Sequence, residues 1–207
     1  MSSKLLMSKL SIAIVPAALL LGAIAPAVAQ HRNEDVWTLD PQVLVSGSED
    51  LLLRAPDASI DALFQAVHGA AQNPNEAAAM CRLFDPQAER SLQALNEVAS
   101  QLGERSRDRF ANAAAEVLIG GMQSPLQPYD PAAARQSLKA AGVTAAILHD
   151  GFVRGLNSEG SDAQSRELRC RSLGWLLDAI QTRPQSERAA MTRLLLGEGL
   201  ARVVPAS

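Results

Sequence analysis

Cysteine is scarce in this chain: two in 207 residues, Cys81 and Cys170. Neither belongs to a C-x-x-C or C-x-x-C-H run, which excludes a thioredoxin-like redox centre and covalent haem attachment. Histidine is almost as rare. His31, His68 and His149 form no H-E-x-x-H, H-x-x-x-H or Glu-x-x-His pattern. Gln65 and Ala146 stand where the di-metal helical-bundle motif requires glutamate. G-x-S-x-G is absent, so there is no nucleophile elbow, and neither a P-loop nor G-x-G-x-x-G occurs. No metal, no cofactor and no catalytic residue is therefore assigned. Aromatic residues make up 3% of the chain, and alternating β-branched runs are nearly missing after residue 50, which removes the strand signals. A basic surplus is also lacking. The formal charge is −3, not the electrostatic footprint of a nucleic-acid binder.

The N-terminus carries a targeting pattern. Lys4 and Lys9 precede an apolar run from Leu10 to Ile24, and Ala27-Val28-Ala29 follows with small residues where a signal peptidase reads. Cleavage between Ala29 and Gln30 is expected, with the general secretory route favoured because no Arg-Arg pair precedes the run. The run is short and holds Pro16, so an uncleaved span is disfavoured and no stable membrane span is expected after cleavage. These features predict a periplasmic or secreted protein. Removing two lysines leaves 17 basic against 22 acidic residues, a charge of −5. Residues 30–57 read as an acidic arm in which "DVWTL", "QVLV" and "DLLLRAP" are short apolar patches, open between hairpin, helix and extended chain.

Residues 58–204 read as one all-α domain, a helical bundle or orthogonal helical array of about six to eight helices. Alanine, leucine, arginine, glutamate and glutamine dominate, and all favour helix. Asn73-Pro74, Asp85-Pro86 and Asp130-Pro131 each set a capping side chain before a proline at the first helical position. Asn73 and Glu76 have capping-box spacing. Helices are expected over Ser59 to Gln72, Pro74 to Phe84, Pro86 to Leu102, Glu104 to Gly121, Pro131 to Leu156 with a break near Gly142 after which Thr144 caps a new helix, Asp162 to Thr182, and Pro184 to Val203. "GGMQSPLQPYD", with Tyr129, is a long link whose Met122, Leu126 and Tyr129 are available to dock on the bundle.

On the second of these helices Ala77, Met80, Cys81 and Phe84 recur at helical spacing, and Cys170 heads a stripe with Leu173 and Leu177. Two cysteines on apolar faces of an exported chain predict a Cys81–Cys170 disulfide. Two buried free thiols are the alternative. A catalytic thiolate would need an electropositive, exposed site, and the flanking Arg82, Arg169 and Arg171 are its sole support. Met80, Phe84, Phe110, Phe152 and Trp175 are candidate linings of an apolar cavity, against the plainer role of filling a core. His149, Asp150 and Asp178 are candidate polar-site residues, since both acids sit among apolar neighbours. Three functions compete on this basis. The first is a non-catalytic module binding another periplasmic protein or peptide. The second is a carrier of an apolar small molecule or lipid. The third is a hydrolase whose site is assembled from scattered residues. A large apolar cavity favours the carrier, a cleft holding His149 or His68 beside a carboxylate favours the hydrolase, and a closed core with an exposed apolar groove favours the protein- or peptide-binding module.

Overall fold

A computed structural model describes residues 41–82, 85 and 91–200, with side chains from residue 47 onward except at position 92. The expected signal segment, His31 and Phe84 lie outside the described residues. Nine helices and no strand occur among those described: α1 Pro41–Arg54, α2 Asp57–Ala71, α3 Ala77–Arg82, α4 Leu92–Ser100, α5 Glu104–Gln123, α6 Pro131–Leu148, α7 Phe152–Leu156, α8 Ala163–Gln181 and α9 Gln185–Leu200. The all-α expectation holds. The described residues from Val45 onward pack as one compact unit.

Within that unit α2 and α8 organise the packing. α2 touches α3, α5, α8 and α9, while α8 touches α2, α3, α6 and α7. Three apolar clusters result. Phe64, Phe152, Leu177, Ile180 and Met191 join Ala141, Ala145 and Ala179 in the first. Leu52, Ala55, Ile60, Val117 and Ala189 form the second, and Ala70, Ala79, Met80, Val98 and Leu102 the third. Alanines at the contacts let helices approach closely, so the alanine bias of the sequence has a packing role here. Leu52 and Ala55 come from the segment read as an arm, whose described part from Pro41 is helical.

Arg193 explains how that segment is held. This residue is 3% exposed. Its guanidinium donates to the carbonyls of Leu52 and Ala55 and to the Asp57 carboxylate. The last carbonyls of α1 have no intrahelical partner, and a buried cation answers both them and the dipole of the helix end. The fork of five donors suits three acceptors at once.

Several local expectations change. The break expected near Gly142 occurs instead at His149–Gly151, where Gly151 has φ +89°, a left-handed conformation glycine adopts without steric cost. Ala141 and Ala145 are fully buried on either side of Gly142, which holds the helix through it. Thr144 does not cap. Its hydroxyl donates to the Ala140 carbonyl at 3.0 Å, the back-bond available to a mid-helix threonine. The Asn73/Glu76 capping box is also absent. Asn73 accepts from the Asn75 amide, the helix proper starts at Ala77, and buried Glu76 accepts from the amide of Gly103 at 3.1 Å. A tertiary contact at the start of α5 thus replaces the local cap. Asp130 does cap as expected, accepting from Ala132 and Ala133 with Pro131 at the first turn.

The long link is shorter than its glycines implied. α5 runs through Gly120 and Gly121 to Gln123. A Cβ at Gly121 would lie 2.6 Å from the Leu51 carbonyl oxygen, and one at Gly120 2.6 Å from Pro56. These glycines serve close approach of helix to backbone, not a turn. Gln127 donates its amide to the Leu53 carbonyl at 2.9 Å. Tyr129 is half-buried, and that burial raises its phenol above the ordinary value despite the nearby Arg135 and Arg193. Met122 and Leu126 stay exposed.

Candidate functional site: an apolar groove beside the disulfide

Cys81 and Cys170 face each other with Cα atoms 5.3 Å apart and sulfurs at bonding distance, closing a separation of 89 residues. Both helices bring their cysteine in on the stripe the sequence displays. α3 is too short to be stable alone, and this tie fixes it against α8.

A groove of about 860 Å³ opens along that junction. α8 supplies one long wall through Leu173, Leu176, Leu177 and Ile180; α9 adds Leu195 and Leu196, α2 adds Phe64 and Val67, and α3 adds Ala77, Ala78 and the disulfide. Leu156 closes part of the rim. From Ala163 to Ile180 the α8 wall extends about 25 Å at 1.5 Å per residue. Polar groups gather at the end nearest the start of α8: Arg82, Asp85, Arg166, Glu167 and Arg169. Arg169 donates to Asp85 at 3.1 Å and to the carbonyls of Ser158 and Gly160. Glu167 accepts from Arg171 at 2.6 Å, four residues on.

The residues selected from sequence as cavity linings lie elsewhere. Met80 is 1% exposed and belongs to the third cluster, with Phe110 packed against it. Phe152 is buried in the first cluster, against which Trp175 packs. None of these four lines the groove. They have the core-filling role weighed against the lining one. The leucines that do line the groove look in sequence like any apolar helix face; Leu173 and Leu177 alone carry a distinguishing mark, as members of the Cys170 stripe.

A second, shallower cleft lies between α2 and α5, with Gln65, His68, Arg109, Asn112 and Glu116 on its walls. His68 sits at its edge, 2.8 Å from Asp178. A carboxylate only accepts, so Nε2 carries the proton and donates. Gln72 donates to the same oxygen at 2.7 Å, and Phe64 stacks on the imidazole. This is the histidine–carboxylate pair named as the mark of a hydrolase. Yet among the described residues no serine, threonine or cysteine is hydrogen-bonded to His68. The pair ties α2 to α8.

The structure does not bring His149, Asp150 and Asp178 together. His149 stacks on Trp175 with ring centroids 4.6 Å apart and planes 2° from parallel. Asp150 is exposed. Trp175 and Asp178 stand one turn apart on α8, each engaging a different histidine. No group of three or more histidine, cysteine or carboxylate side chains fit to hold a metal occurs among the described residues, and no described helix is long and apolar enough to cross a membrane.

Comparison with known proteins finds no matching family model, no matching curated protein and no matching solved structure, so a functional reading rests on the geometry of the groove alone.

Proposed function

We propose that this protein is an exported, non-enzymatic carrier that binds an apolar small molecule or lipid chain in the groove between α2, α3, α8 and α9. The observation that carries the reading is the size of the groove: about 860 Å³ walled by leucine, isoleucine, valine and phenylalanine side chains, within the range of small-molecule sites, although an apolar groove as such equally suits the protein- or peptide-binding module. Left to water, such a surface is unfavourable by roughly 25 cal/mol per Å² of apolar area, and an apolar occupant removes that cost. Export and a periplasmic setting rest on the N-terminal pattern. The cysteine pair at disulfide distance is compatible with an oxidising compartment.

The test is native mass spectrometry of protein purified from the periplasm without detergent, together with binding of the neutral dye Nile red to stripped protein. A retained apolar adduct and saturable dye binding are expected. Ala78 is exposed on the groove wall, so Ala78→Trp should fill the groove and abolish dye binding while the melting temperature holds. Dye binding unchanged by that substitution would remove the groove from consideration.

A second reading has its own observation. Val143, Ile147, Leu148 and Val153 are all more than half exposed and cluster along the end of α6 and on α7. Exposed apolar surface of this kind marks protein contacts, which supports the module that binds another periplasmic protein. A photo-crosslinker at Ile147 that captures no partner in the periplasm would remove this reading.

A further inference from the structure

The two ends of the groove differ, and the difference selects a class of ligand. Away from the start of α8, Leu195 and Leu196 present hydrocarbon, Ile180 is almost wholly buried, and Thr192 beside them spends its hydroxyl on the Arg188 carbonyl. At the near end Arg82 and Arg166 both line the opening, and both are exposed. The disulfide brings them there. Arg82 follows Cys81 directly, and Arg166 lies one turn before Cys170, so joining the cysteines sets both guanidiniums at one mouth. The other charges at this end are committed. Arg169 is held by Asp85 and two backbone carbonyls, and Glu167 is held by Arg171, which does not line the groove. Among the described residues, Arg82 and Arg166 have no ion-pair partner. With Arg169 matched by Asp85 and Glu167 by Arg171, the two remaining guanidiniums are the positive charge this mouth presents.

Resting on the carrier reading above, we infer that the ligand is a single-chain alkyl compound with an anionic oxygen head, carboxylate or phosphate, the head between Arg82 and Arg166 and the tail along α8. The length of the wall suits one extended chain. Guanidinium is the side chain suited to an oxyanion head, carboxylate or phosphate, because its donors match two oxygens at once. The mouth is open to solvent, so the arginines select among heads while the leucines supply most of the binding.

The test compares four ten-carbon probes below their micelle concentrations, titrated calorimetrically into the oxidised full chain: decanoate, decan-1-ol, decyl phosphate and decyltrimethylammonium. Decanoate should bind about tenfold tighter than decan-1-ol, the worth of a charge-assisted hydrogen bond or two at an open site. The variant carrying Arg82→Gln and Arg166→Gln should lose that preference while keeping its affinity for decan-1-ol and its melting temperature. Two outcomes overturn the inference and leave the carrier reading standing: the variant keeps its preference for decanoate, or decyltrimethylammonium binds as well as decanoate. Tighter binding of decanoate than of decyl phosphate supports a carboxylate head, and the reverse order a phosphate head. Failure of both decanoate and decan-1-ol to bind would bring down the carrier reading and this inference together.

Discussion

Arg188 grips the carboxylate of Asp61 with two parallel hydrogen bonds, Nε to Oδ1 at 2.7 Å and Nη2 to Oδ2 at 2.8 Å. The side chains are 16% and 10% exposed, and Arg188 also donates to the Arg183 carbonyl. The carboxylate raises the arginine's pKa above its ordinary value, chiefly by hydrogen bonding. A bidentate pair so shielded joins α2 to α9 in fixed register. Removing one partner strands the other, so Asp61→Asn and Arg188→Met should each destabilise by about 3 kcal/mol. Urea denaturation checks this. A loss below about 1 kcal/mol for both would show the pair to be worth no more than a surface ion pair.

Reducing the disulfide should lower the unfolding midpoint. The loop it closes is long, and chain-entropy models allow up to about 4–5 kcal/mol for such a loop. Because the bridge also holds α3 at the groove, the doubly substituted variant Cys81→Ala with Cys170→Ala should weaken Nile red binding more than its remaining helicity suggests. Thermal melts with and without reductant, with circular dichroism and dye titration on the variant, test both parts. Two titratable thiols in denatured, unreduced protein would refute the bond.

Gly155 on α7 faces the backbone of α8, and a Cβ there would stand 2.5 Å from the Leu168 carbonyl oxygen and against the Ser172 hydroxyl. That hydroxyl donates to the Phe152 carbonyl at 3.0 Å, and Ser172 is fully buried. Gly155→Ala must push α7 away or break this bond, and a loss of about 1–3 kcal/mol is expected. Gly142→Ala, with open space around it, should be neutral or stabilising through its better helix propensity. Equal effects of the two substitutions in chemical denaturation would contradict the packing described.

Asp162 caps α8, accepting from the amide of Ser165 at 2.9 Å and from its hydroxyl at 2.6 Å. The hydroxyl and amide donors hold its pKa below 3.8. A carboxylate with a depressed native pKa stabilises the fold above its unfolded value, and that contribution is lost as pH falls through the native value. The first turn of α8 should therefore fray as pH drops below about 4, and Asp162→Ala should fray it at neutral pH. Hydrogen exchange of the Ser165 amide reads this directly. A carboxyl titration midpoint for Asp162 at or above that of an ordinary aspartate would refute it.

The helical class, the Asp130 cap and the Cys81–Cys170 pairing follow from the sequence because each depends on short-range spacing or on a count. Helical periodicity repeats within a few residues, a cap needs its own two or three neighbours, and two cysteines allow one pairing. Tertiary structure decided where helices stop and which side chains meet. Glu76 leaves its local cap for Gly103, a backbone amide 27 residues away. Gly142 stays helical because alanines on both sides are buried, and Gly151 breaks the chain instead. His68 meets Asp178 across 110 residues, a distance no spacing rule spans. The groove illustrates the same limit. Met80, Phe152, Leu173 and Leu195 are alike in sequence, apolar residues at helical spacing. Burial in a core or exposure along a groove depends on how far apart the neighbouring helices lie, and that is set by packing among all of them together.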